Sequence, residues 1–138
     1  MRKRTRAREF ALQILYQIDI TGNSLKDILD TFWKYPEEQD AEPAIQDFAA
    51  SLVKGVIDNL GPIDQKITHY ATNWQLKRMA VVDRNILRLA SFEIMFLSDI
   101  PAKVSINEAV DLAKKFSTEE AGKFVNGILD KIKTEKKE

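Results

Sequence analysis

Residues 82–97 read VDRNILRLASFEIMFL, and the fold turns on this stretch. Val82, Ile86, Leu89, Ala90, Phe92, Ile94, Phe96 and Leu97 leave little polar face at a period of 3.6, as in a helix surrounded by other helices. Glu93 falls in the middle of that apolar arc, between Ile86, Leu89 and Leu97. A carboxylate buried there must be paired, hydrogen-bonded or neutralised. An arginine partner or a helix-terminus amide is the expected answer, ahead of catalysis, because no second acid at a suitable spacing makes an acid–base pair with it. Residues 98–101 stop the helix.

Working outward, the same period recurs and no period-two strand pattern interrupts it. Over residues 5–20, Ala7, Phe10, Ala11, Ile14, Leu15 and Ile18 form one apolar stripe, while Leu12, Tyr16 and Ile20 form a second row facing away from it. Gly22 and Asn23 end this helix. Ser24, with Asp27 three residues on, caps a second helix containing Ile28, Phe32 and Trp33. The acidic segment 36–43, PEEQDAEP, is bracketed by prolines and reads as a loop. A third helix is expected over 43–60, with Gly61 and Pro62 closing it and opening a fourth through Tyr70. Ser105 with Glu108 and Ser117 with Glu120 match capping boxes for a sixth helix ending near Phe116 and a seventh beyond it. The tail 134–138 is charged and expected to fray. This is one all-helical domain spanning 1–138, a compact bundle of about seven helices, without internal repeats or a domain-separating linker.

Composition closes most routes to catalysis. The 138 residues include no cysteine, which removes disulfides, thiolate metal sites and thiol nucleophiles, and one histidine, which cannot build a multi-histidine site. His69 is read as structural. The glycines form no phosphate-binding loop of familiar spacing. No metal and no cofactor is expected. No apolar run approaches the roughly 20 residues of a membrane span, and polar residues interrupt what would be the core of a secretory signal, so the cytoplasm is the default location.

The zero net charge hides a split. The first eight residues, MRKRTRAR, carry five bases and no acid. The remaining 130 hold 16 bases against 21 acids, about −5. A concentrated basic arm on an acidic body is the electrostatic footprint of a polyanion contact. Four of the five bases are arginine, whose planar fork binds phosphate and stacks on bases. Bases at a helix N-terminus also oppose the macrodipole, an opposition that phosphate would relieve. Tyr16, two turns beyond Arg8 through Leu12, is placed to stack a base delivered by the arm; its plain reading is a partly buried core residue. Gly127 interrupts the seventh helix at a cost of about 1 kcal/mol relative to alanine, as if something approaches its backbone closely, with a neighbouring helix the favoured reason ahead of a partner or a nucleic acid.

Three segments then carry a family resemblance: RTRAREFALQILY (4–16), DRNILRLASFE (83–93), and PAKVSINEAVDLAKKF (101–116) followed by GKFVNGILD (122–130). They resemble the NusB family of bacterial transcription antitermination factors over essentially the whole chain. The resemblance implies two small packed helical subdomains. It implies binding, without catalysis, to the single-stranded boxA element of nascent ribosomal RNA together with the small-subunit ribosomal protein NusE, in a complex that joins elongating RNA polymerase. By motif, Arg4, Arg6 and Arg8 would contact the RNA backbone with Tyr16 at its edge. Phe116, Glu120 and Phe124 would complete the RNA surface, and Asp83 would face the ribosomal protein. Gly122 departs from the larger polar residue common there, and Glu120, an acid near phosphate, would tune affinity rather than supply it. Phe116 and Phe124 also fit a core. The rival readings are an accessory domain of ribosomal RNA methyltransferases, which expects a catalytic domain after the helices where this sequence ends at Glu138, a homodimer with an occluded arm, and an acid–base enzyme built on Glu93.

Overall fold

A computed structural model of the chain describes residues 2–34 and 41–136. Among the described residues every regular element is helical: α1 (Lys3–Thr21), α2 (Leu25–Phe32), α3 (Pro43–Asp58), α4 (Leu60–Tyr70), α5 (Val81–Phe96), α6 (Ala102–Phe116) and α7 (Glu119–Lys136), with one 3-10 turn at Leu76–Arg78. Helices α1–α3 form one small bundle and α4–α7 another. Helix α5 packs against α1, α3, α4, α6 and α7, and a single apolar core runs through both halves. The central position read from residues 82–97 is therefore observed, with Ile86, Leu87, Leu89, Ala90, Phe92 and Ile94 all buried.

The termini of the helices follow local chemistry. Gly22 takes φ +74°, the left-handed conformation that suits a helix end, and its N–H donates to Ile18 O at 2.8 Å. Ser24 Oγ accepts from the Asp27 N–H at 3.1 Å, as the sequence predicts. Helix α3 stops two residues before the predicted end, because the Asn59 side chain donates to Gly55 O at 2.8 Å and the chain restarts as α4 at Leu60.

Two predicted caps are corrected. Helix α6 begins three residues before Ser105, with Pro101 in the capping position, and Ser105 is buried, donating to the Glu93 carboxylate at 2.7 Å. Its hydroxyl serves an interior carboxylate rather than a helix end. At α7, Thr118 rather than Ser117 supplies the cap, accepting from the Ala121 N–H at 2.9 Å. The basic arm is also largely helical, since α1 starts at Lys3, and the tail remains helical through Lys136, where Glu135 pairs with Lys66 and accepts from the Tyr70 hydroxyl. Positions 137–138 of the tail and 36–40 of the acidic loop lie outside the described residues.

A second ionic cluster locks α1 to α4 and α5. Asp19 accepts from Arg84 Nε and Nη2 at 2.8 Å each, from Asn85 Nδ2 at 2.9 Å and from Arg88 Nη1 at 3.1 Å, and Arg88 reaches on to Asp64. Hydrogen bonding from Arg84 outweighs partial burial and holds the Asp19 carboxyl below its usual range. Stability supplied by such a depressed carboxyl is fully present above the unfolded value of about 3.9 and is lost as pH falls through the folded one. Asp19→Asn should therefore flatten the acid limb of a thermal-stability profile below about pH 4, and a profile as steep as wild type would show that this cluster does not drive acid unfolding.

Candidate nucleic-acid interface

The arm arginines diverge. Arg4 and Arg8, one turn apart, both face the Phe48 ring, whereas Arg6, two residues from each, lies on another face of α1. Arg4 is exposed and lies over the Phe48 ring of α3 at 4.4 Å. Arg6 is part-exposed, with its guanidinium over the Phe10 ring at 4.1 Å.

Arg8 points inward and is only 4% exposed, against the expectation that it belongs to the arm. Its Nε and Nη2 donate to the two Glu93 oxygens at 2.8 Å each, and Nη1 lies 3.4 Å from Glu108. Burial opposes its charge, but the hydrogen bonds and charge of Glu93, and then Glu108, prevail and hold the guanidinium above its ordinary pKa. The arginine partner expected for Glu93 is thus the residue assigned by motif to RNA. With two acids and Ser105 around it, this pair is a structural junction of α1, α5 and α6 and leaves Arg8 no face for phosphate.

Arg6 takes part in a surface cluster through Glu9. That carboxylate is 3% exposed and accepts from Arg6 Nη1 at 3.0 Å and from Lys115 Nζ at 2.7 Å. Lys115 in turn sits 5.4 Å from the centre of the Phe116 ring, which is 39% exposed. Tyr16, seven residues beyond Glu9 and so on the same face of α1, is 41% exposed, whereas Leu12 of its predicted row is buried. Arg6, Tyr16 and Phe116 thus share one side of the molecule, and neither Tyr16 nor Phe116 is consumed by the core.

The remaining site residues meet elsewhere. Asp83, Glu120 and Phe124 line one cleft of about 430 Å3, together with Trp74, Arg78 and Thr118. Phe124 packs edge-on against Trp74, with ring centres 6.1 Å apart. Asp83 lies in the first turn of α5, and its Oδ1 is buried without a hydrogen-bond partner among the described residues.

Sequence reasoning misses Lys115, Glu9 and Trp74. Lys115 reads as an ordinary cation complementing a helix C-terminus, and Glu9 reads as a polar interruption; only their meeting across 106 positions gives them meaning. Trp74 lies between helices, where hydropathy gives no sign that it is exposed.

Residues 5–134 match the model of the NusB family. The chain belongs to the NusB family. A transcription antitermination protein NusB from Anaeromyxobacter dehalogenans (strain 2CP-1 / ATCC BAA-258) is 51% identical over 130 residues, covering 94% of this chain and 89% of its own. Among solved structures, T. maritima NusB superposes with a TM-score of 0.85 at 40% identity, covering 96% of this chain and 91% of that one. A crystal structure of the antitermination factors NusB and NusE in complex with dsRNA is similar at a TM-score of 0.87 and 31% identity, covering 98% of each chain. The all-α NusB architecture is therefore the fold of this chain. No helix among the described residues is long and apolar enough to cross a membrane.

Proposed function

We propose that this chain is a transcription antitermination factor of the cytoplasm that binds boxA-type RNA of nascent ribosomal transcripts together with NusE and joins the RNA polymerase antitermination complex, acting by binding and not by catalysis. The observation that carries this is the convergence of Arg6 and Lys115, from two helices far apart in sequence, beside exposed Phe116 and Tyr16 on an otherwise acidic body. Cations that neutralise phosphate next to aromatic faces that stack bases make a single-strand surface. Arg4 adds a cation on another face of α1, over Phe48, and Glu120 and Phe124 supply a separate set of contacts in the cleft. Asp83, in the first turn of α5 and lining the cleft, brings a carboxylate to the side offered to a basic ribosomal protein. The family membership and the RNA and NusE named for the similar crystal structure support the same reading. Arg8 is left out of the contact set because its guanidinium is taken up inside the fold.

The arm is a small basic cluster, so RNA should bind weakly alone and more tightly with NusE. Fluorescence anisotropy with a single-stranded boxA RNA and with its duplex, across salt and with or without NusE, tests this. Arg6→Gln with Lys115→Gln should flatten the slope of log affinity against log salt by about 0.7 for each phosphate of a single strand that is no longer neutralised. An unchanged slope, or equal affinity with and without NusE, would overturn the assignment.

A further inference from the structure

The sequence predicts that Gly127 makes room for a neighbouring helix, and it does not: a Cβ placed there meets nothing within 4 Å. The glycine instead forms the floor of an open groove of about 300 Å3 whose walls include Tyr70, Trp74, Lys123, Phe124 and Lys131. Lys123, Gly127 and Lys131 are spaced i, i+4 and i+8, so they lie along one ridge of α7 with a notch between two cations. Across the notch stands Trp74, 55% exposed, with Phe124 against its ring. Trp74 and Phe124 also line the larger cleft that holds Asp83 and Glu120, so the two depressions are continuous through this aromatic pair.

We propose that this groove is a second RNA subsite, taking one unstacked base on Trp74 with a flanking phosphate on Lys131, for a nucleotide of the strand that passes the cleft. The proposal rests on the RNA-binding reading above and extends it. A groove of this size suits a flat ring rather than a partner helix, and base stacking on an exposed aromatic tolerates any sequence. Charge points the same way. Lys131 forms no ion pair among the described residues. Glu120 takes up Lys123 at 3.5 Å and Glu135 takes up Lys66, which leaves Lys131 as the groove's unengaged cation among the described residues. A basic ribosomal protein fits such a surface poorly, whereas phosphate fits it well.

The test uses the full chain with NusE and two fluorescent single strands, one restricted to boxA and one extended by oligouridine on both sides. Gly127→Gln fills the notch while replacing a helix-interior glycine with φ below zero, so this variant should melt higher than wild type. It should nonetheless bind the extended strand roughly tenfold more weakly, as should Trp74→Ala, with the shorter strand affected less. Lys131→Gln should lower the salt slope for the extended strand by about 0.7. Equal affinity of wild type and all three variants for the extended strand would overturn the subsite while leaving the antitermination reading intact. A loss of NusE affinity measured without RNA, with RNA affinity unchanged, would reassign the groove to the protein partner. Absence of any RNA binding by the wild-type complex would overturn both.

Discussion

Glu93→Ala should cost the fold about 3–5 kcal/mol, the range for removing one partner of a buried ion pair. Arg8 and Glu93 are among the most deeply buried charges of the chain and meet through two 2.8 Å hydrogen bonds. Removing the carboxylate strands a guanidinium that cannot neutralise itself, and it also strips Ser105 of its acceptor. The effect should be read as a lower urea midpoint at unchanged slope. Arg8→Met combined with Glu93→Leu should recover much of the stability, because apolar groups of similar volume avoid the desolvation that the ions incur. A cost below about 1 kcal/mol from Glu93→Ala would mean that Glu108, 3.4 Å from Arg8, suffices alone. Arg8→Ala bears on binding assays as well. Any fall in its RNA affinity should track its unfolded fraction rather than the removal of a phosphate ligand, and should leave the salt slope of the folded protein unchanged.

Gly55→Ala should destabilise by roughly 1–3 kcal/mol, the range for overpacking a filled core. On an exposed helix the same change would stabilise by nearly 1 kcal/mol, so the sign itself is the test. A Cβ at Gly55 would lie 2.0 Å from Cζ of Phe92, with Cε1 and Cε2 also inside 3 Å. Phe92 cannot swing freely, because it is buried in the main core and stacks against Phe96 at 5.7 Å. The backbone of α3 therefore rides directly on an aromatic ring of α5. Trimming that ring in Gly55→Ala/Phe92→Leu should give back part of the stability, measured against Phe92→Leu alone. A Gly55→Ala protein more stable than wild type would show that α3 and α5 can slide apart at no cost.

Local signals in the sequence are enough for the helices, and not for their inward-facing polar groups. The all-round apolar character of residues 82–97 translates directly into a central α5, because an apolar surface of that extent is stable only when covered. Gly22 and Ser24 act within a few residues of themselves and are readable for that reason. Ser105 is misleading because a serine three residues before a glutamate satisfies the pattern of a cap, while what governs it is a carboxylate on another helix. The same holds for Arg8: charge counting places it with the arm, and only the packing of α1 on α5 and α6 turns it inward. For the site, the pattern identifies Asp83, Glu120 and Phe124 separately, and the fold brings them into one cleft. Lys115 and Trp74 are invisible in sequence, and Gly127 stands out there only as a glycine without its surroundings, since each depends on a neighbour across 50 or more positions.

Because α1 is already helical from Lys3, the cations on its first two turns travel with the core as a rigid body. Fixing a backbone residue costs about 1–2 kcal/mol, and a disordered arm would meet that charge anew with every transcript. Here it is met once, when the protein folds. Capture of RNA by this end of the molecule should accordingly resemble docking of preformed surfaces, with a small heat-capacity change and a rate governed by electrostatic encounter rather than by chain ordering.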